Sequence, residues 1–279
     1  LCAMPLLACG DDDEWADLQG EWVSEREWVD GIDALLDCKN YTETIKVRVD
    51  SETLDQSYKG TVDALYKFDI DNKVMFFTLT APKVENPNIA PTSYSTYAAY
   101  EFCYAINDPN SDEPVFRDIC VYRYEEDEDG WQVRDLGTIE LSNFKKNFID
   151  SNLTYSIIYG LLDDSSVIKI KSIYSDFKYS GETGAFTHLY EREFNEPPYG
   201  SSSISQTTKL YFSNKRLYAV DYKSRGETKA TVEGKDYHII QNQSGTDVCS
   251  DFGTTVIEVP DEVKTVLENY KATHSPNAE

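Results

Sequence analysis

Several signatures of catalytic and membrane-spanning proteins are missing from this sequence. No run reaches the roughly 18 apolar residues that a helix needs to cross a bilayer. There are three histidines in 279 residues. His188 and His238 sit in strand-like runs and His274 in the C-terminal tail, and a strand histidine is more often structural than a general base. The nucleophile elbow G-x-S-x-G, the P-loop G-x-x-x-x-G-K-[ST], the zinc-protease H-E-x-x-H and the Rossmann glycine fingerprint do not occur. No C-x-x-C is present, which removes support for a thioredoxin-like or zinc-ribbon reading. Basic residues are scarce, 26 Lys and Arg against 50 Asp and Glu, for a formal net charge of −24. Such a chain repels nucleic acid and does not dock on anionic lipid by charge. The reading is therefore non-enzymatic, with one exception left open: among so many acids, two carboxylates could converge for glycoside hydrolysis.

What is present is alternation. Hydrophobic residues make up 40% of the chain, enough for a core, and they recur mostly at period 2. Ile45, Val47 and Val49 share one side of the run 41–49, while Thr44, Lys46 and Arg48 share the other. Val62, Ala64, Tyr66, Phe68 and Ile70 form one face of the next run, and Asp71-Asn72 turns it into 74–80. A second hairpin joins 209–212 to 217–221 through Ser213-Asn214, and a third joins 119–124 to 131–134 through the acidic turn 125–130. Further strands are expected at 94–106, 153–159, 167–174, 185–194 and 237–241. Tyrosine, with 20 residues against 12 Phe, suits such strands and their half-buried faces. Two helices are expected. One starts at Pro260-Asp261-Glu262 and sets Val263, Val266, Leu267 and Tyr270 on one face. A shorter one covers 30–37 through Ile32, Leu35 and Leu36. The segments 81–93 and 196–205 are rich in proline, serine and asparagine and read as loops. Ten or more strands at this spacing predict an all-β, antiparallel barrel or sandwich. No internal repeat is visible. If the chain holds two β domains rather than one, 142–152 is the best boundary.

The start of the chain is of another kind. Leu6-Leu7-Ala8-Cys9-Gly10 followed by Asp11-Asp12-Asp13-Glu14 resembles the lipobox and acidic tether of bacterial lipoproteins. The resemblance implies cleavage before Cys9, a diacylglycerol on its thiol, and an address at the outer membrane, because Gly10 stands where an Asp would favour inner-membrane retention. Residues 1–8 then read as the tail of a signal peptide, 9–14 as lipidated cysteine and tether, 15–259 as the β domain, and 260–279 as the C-terminal helix and tail. Contact with the membrane runs through the lipid anchor only. From Cys9 to Trp15 the tether reaches at most about 20 Å.

An exported context makes the other cysteines readable. Cys38, Cys103, Cys120 and Cys249 suggest two disulfides, with three possible connectivities. Spacing favours Cys103–Cys120, which flank the turn-rich stretch 107–114 symmetrically, and so Cys38–Cys249. The segment Leu18-Gln19-Gly20-Glu21-Trp22 resembles the G-x-W opening of lipocalins and related calycin barrels. That resemblance implies a close turn at Gly20 and a barrel-closing Trp22, hence a lipocalin-like barrel of about ten strands with a C-terminal helix. The acidic turn places Glu125, Asp127, Asp129 and Gly130 at positions one, three, five and six of an EF-hand-like calcium loop, but Leu136 occupies the position of the bidentate Glu. An Asp-Gly hairpin turn accounts for it without metal, so no cofactor other than calcium is in question. The functional expectation is a non-enzymatic envelope lipoprotein holding a lipid or apolar small molecule inside its barrel. The alternative is an interaction lipoprotein with a filled core and a Tyr-rich surface for an envelope protein partner.

Overall fold

A computed structural model describes residues 18–52, 57–80, 96–106, 115–125, 130–139, 173–196, 200–232 and 235–274. Eleven strands form one antiparallel sheet. They are β1 Asn40–Glu52, β2 Ser57–Asp69, β3 Val74–Thr80, β4 Tyr97–Ile106, β5 Val115–Tyr124, β6 Gln132–Ile139, β7 Lys178–Tyr179, β8 Ala185–Glu196, β9 Gly200–Ser213, β10 Arg216–Val232 and β11 Lys235–Ser250. The order is β6-β5-β4-β3-β2-β1-β11-β10-β9-β8-β7. Each half of the chain is a meander of hairpins, and the long β1–β11 ladder joins the halves. The sheet is barrel-like but open: among the described residues β6 and β7 are unpaired edges. The antiparallel, barrel-like sheet and its C-terminal helix agree with the expectation; among the described residues the sheet is open, because closure requires the two edge strands to pair. No helix among the described residues is long and apolar enough to cross a membrane.

The hairpins follow their turn chemistry. Between β9 and β10 two consecutive residues, Asn214 and Lys215, take φ of 51° and 58°. That is the conformation whose twist matches paired strands, and Asn tolerates it best among non-glycine residues. Between β2 and β3, Asp69 accepts from the Asn72 side chain at 2.8 Å. The expected loop 196–205 is corrected: residues 200–205 belong to β9, pairing with β8 throughout and with β10 from Ser201 onward. The expected strand 153–159, the greater part of 167–174, the loop 81–93, the turn stretch 107–114 and the boundary 142–152 lie outside the described residues.

One helix covers part of each face of the sheet. α1 (Glu25–Leu36) begins at Glu25, not at residue 30, because Ser24 and Glu27 form a capping box. The Glu27 carboxylate accepts from the Ser24 N–H at 3.0 Å, and the Ser24 hydroxyl accepts from the Glu27 N–H at 3.4 Å. Together they satisfy two donors that a helix start leaves open. Trp28, Ile32 and Leu35, four and three residues apart, then face the sheet. Trp28 is fully buried among Tyr174, Phe177, Phe186 and Phe212, with ring centroids 5.0–5.6 Å away. Gly31 allows the close approach: a Cβ there would collide with the backbone carbonyl of Lys215. α2 (Asp261–His274) follows the sequence reading. Val263 and Leu267 are buried against Tyr100, Ile119 and Val121 on the opposite face.

Candidate functional site

Strand register places four acids and three of the cysteines on the face covered by α1, in phase with apolar residues. One row across the sheet runs Phe186, Leu210, Val220, Asp247, Ile45, Ala64. The next includes Cys249, Glu43, Tyr66 and Phe77. Glu43, Asp247 and Cys249 therefore converge: one donor atom from each lies within 4.8 Å of the others, and all three residues are buried, Glu43 at 0% and Asp247 at 1% exposure. A carboxylate, carboxylate and thiolate set of this kind can hold a borderline cation such as zinc. Burial, and then the field of Glu43, raise the Cys249 thiol well above its ordinary pKa. The phenols of Tyr41 and Tyr66 move the same way for the same two reasons. Tyr222 lies over Gly245, whose missing Cβ makes room for its ring. Its hydroxyl accepts from the Gln243 amide at 2.7 Å.

A second cluster lies on β4 and β5. Cys103 pairs with Asp118 and Glu101 with Cys120, so the four side chains make a square on the same face. Burial, and then the diagonal carboxyl of Asp118, raise Glu101; burial raises Asp118. Two carboxyls this close and this buried cannot both ionise at little cost, which favours retention of a proton on Glu101. Desolvation pushes the thiols of Cys103 and Cys120 up to about 11, so they stay protonated and unreactive at neutral pH.

The sequence-predicted site residues fare unevenly. Cys38, Cys103, Cys120 and Cys249 are all free thiols. The Cys103–Cys120 pairing expected from symmetry is corrected: the register is offset by two residues, which puts each cysteine opposite an acid and leaves the pair on a diagonal. Cα atoms on a diagonal lie about 7–8 Å apart, beyond the reach of a disulfide. The Cys38 thiol donates to the Asn40 carbonyl at 3.3 Å and is one of the smaller influences that raise the Cys249 thiol, but the two cysteines are unbonded. Trp22 is 58% exposed, so it closes nothing; the buried indole is Trp28, six residues later. Gly20 does make a close approach. A Cβ there would strike the backbone of Gly184, and its N–H donates to the Thr183 carbonyl at 3.1 Å. Of the calcium candidates, Glu125 follows β5, exposed, with its N–H on the Thr96 carbonyl; Asp127 and Asp129 lie outside the described residues, as does Cys9. The histidines are dispersed: His188 stacks on Phe177, His238 meets Glu227 at 2.9 Å, and His274 stacks on Tyr270.

Glu43, Asp247, Glu101 and Asp118 were missed in the sequence, although a signal existed. Each continues the inward phase of its strand, Glu43 with Ile45 and Val47, Asp118 with Cys120. An acid in that phase marks a buried polar position.

The face covered by α2 carries a different feature. A groove of about 520 Å³ opens over β1, β11, β10 and β9. It is lined wholly by polar residues, among them Arg48, Lys223 and Arg225.

No family model matches the sequence, and no curated protein does. Among solved structures, a LolA superfamily protein from Nitrosomonas europaea is 11% identical, with 87% of this chain and 97% of that one covered and a TM-score of 0.21. Neisserial surface protein A is 10% identical, with 75% and 96% covered and a TM-score of 0.18. A DUF1329 family protein from Desulfovibrio piger is 10% identical, with 91% and 96% covered and a TM-score of 0.22. At these scores the likenesses carry no argument about function, and the chain is characterised by its own geometry: among the described residues, an open eleven-stranded antiparallel sheet with one helix on each face.

Proposed function

We propose that this chain is a non-enzymatic lipoprotein of the bacterial envelope, tethered through Cys9 to the outer membrane, that holds one apolar or amphiphilic molecule against the α1 face of its open sheet. One observation carries the reading. Apolar side chains on that face continue beyond the core built around Trp28: Ile45, Val47 and Ala64, with Val49, Val62 and Tyr66, form a separate cluster on β1 and β2. Ile45, Val47 and Ala64 are enclosed, and an acyl chain or similar ligand would be seated against this separate apolar cluster rather than on open surface. Native mass spectrometry of gently purified, non-acylated protein tests it. A bound lipid mass is expected, and it should weaken when Val49 or Val62, both half-buried, is changed to Gln. A ligand-free spectrum, with no displacement of a fluorescent fatty acid by added lipid, would sink the carrier reading.

A second reading is favoured by the packing of Trp28. Its aromatic cage fills the sheet beside α1 with side chains, as an interaction lipoprotein with a solid core would. Trp22 and Leu189, 58% and 57% exposed, are then the surface aromatic and aliphatic anchors that a protein partner would cover.

A further inference from the structure

The groove on the α2 face contradicts the electrostatics of the rest of the molecule. Strand register explains how it is built. Arg48, Ser244, Lys223 and Thr207 are successive partners across β1, β11, β10 and β9. One step along the same face, Asp50, Asn242, Arg225 and Ser205 form the adjacent row. Neighbouring strands are about 4.8 Å apart, and same-face residues on one strand about 6.8 Å. Arg48, Lys223 and Arg225 thus rise from a patch of roughly 10 by 7 Å, and all three are exposed. In a chain of net charge −24, three of the four ionisable residues lining this groove are cations. Like charges on adjacent positions of a sheet face are destabilising.

Arg48 and Asp50 are each engaged within the structure, and ion pairs flank the groove. On one side Lys209 pairs with Asp221 at 3.4 Å; on the other Glu227 takes Lys229 and His238 at 2.8 and 2.9 Å and meets Arg225 only at 4.0 Å. The remaining lining side chains are hydroxyls and amides, with no aromatic platform and no aliphatic wall. Such a surface offers nothing to an acyl chain. It offers planar and point-charge donors ringed by hydroxyls, the donor set that suits phosphate oxygens.

We propose that this groove is a binding site for a small phosphate ester bearing hydroxyl groups, with Lys223, Arg225 and Arg48 on the phosphate and the Ser, Thr and Asn side chains on the hydroxyls. The volume matches a single small ligand. The site lies on the face opposite α1, so it stands or falls independently of the carrier reading.

Titration calorimetry on the full chain with glucose 6-phosphate tests it, with inorganic phosphate and glucose as separate probes. Glucose 6-phosphate is expected to bind, more tightly than inorganic phosphate, with affinity falling as salt rises; glucose alone should not bind. Lys223→Gln and Arg225→Gln should each weaken binding about tenfold, the worth of one charge-assisted hydrogen bond. Asp50→Asn should tighten it, because the one carboxylate in the groove opposes an anion; a merely structural aspartate would not act in that direction. All three side chains project from the sheet surface, and unchanged melting temperatures would confirm intact folds. Vesicles of phosphatidylcholine doped with phosphatidic acid separate the sources. Capture of the vesicles, reversed by glucose 6-phosphate, assigns the site to a lipid headgroup, and capture of the soluble ester alone assigns it to a free sugar phosphate. Glucose binding as well as its phosphate, absence of phosphate-ester binding at low salt, or full binding by the Lys223→Gln/Arg225→Gln variant would each overturn the proposal.

Discussion

Replacing Trp28 with alanine tests the architecture at its most heavily packed point. The indole is fully buried, bridges α1 to β8 and β9, and touches four aromatic rings within 5.6 Å. Truncating a buried aromatic costs about 3–5 kcal/mol through lost transfer energy and an unfilled cavity. The upper part of that range applies, because Phe186 and Phe212 are fixed on β8 and β9 and cannot collapse into the space the indole leaves. For a domain of this size each kcal/mol moves the melting temperature by about 2–4 °C, so Trp28→Ala should melt roughly 10 °C or more below the parent. Trp22→Ala is the internal control. At 58% exposure it should change stability by no more than about 0.5 kcal/mol. Circular dichroism melts of the two variants side by side decide the matter. If Trp22→Ala were the more damaging, or if the two melted together, Trp22 rather than Trp28 would be the core-closing residue and the account of α1 given above would be wrong.

Three other outcomes follow from particular contacts. Glu101 is protonated in the folded state, chiefly through burial and then through Asp118. Its contribution to stability is complete below its unfolded value of 4.5 and is lost as pH rises toward the raised folded value. Glu101→Gln should therefore gain stability over the parent when melts at about pH 8 are compared with melts at about pH 5; a constant difference would contradict a protonated Glu101. Gly20→Ala drives a methyl group into the backbone of Gly184 and should cost about 1–3 kcal/mol in urea unfolding, whereas Gly226→Ala, with open space around its Cβ, should not. Alkylation in denaturant without reductant, followed by peptide mass spectrometry, should label both Cys103 and Cys120; recovery of a Cys103–Cys120 linked peptide would refute the offset register of β4 and β5.

The local pattern of this chain was legible wherever one residue decides one position. Period-2 alternation marked β1, β2 and β8, the turn residues placed the β2–β3 and β9–β10 hairpins, and Val263 and Leu267 pointed to the buried face of α2. These are short-range properties of strand pleat, turn φ and helix pitch. The start of α1 was legible in principle through Ser24 and Glu27, but the apolar spacing drew attention to Ile32 and Leu35 instead. The exchange of Trp22 for Trp28 has the same origin: a five-residue motif says that an indole is near the domain start, and only packing says which one is enclosed.

What the sequence by itself determined is the class of the protein: antiparallel β with a C-terminal helix, acidic, and opened by residues that resemble a lipobox. Tertiary structure alone decided that among the described residues the sheet ends in two edges, that β1 meets β11 across some two hundred residues of sequence, and that the register between β4 and β5 sets cysteines against acids. It also gathered Glu43, Asp247 and Cys249 on one face and Arg48, Lys223 and Arg225 on the other. The physical reason is that side-chain alternation constrains which face a residue takes, while its partners on that face depend on strand order and register, which are set by long-range pairing.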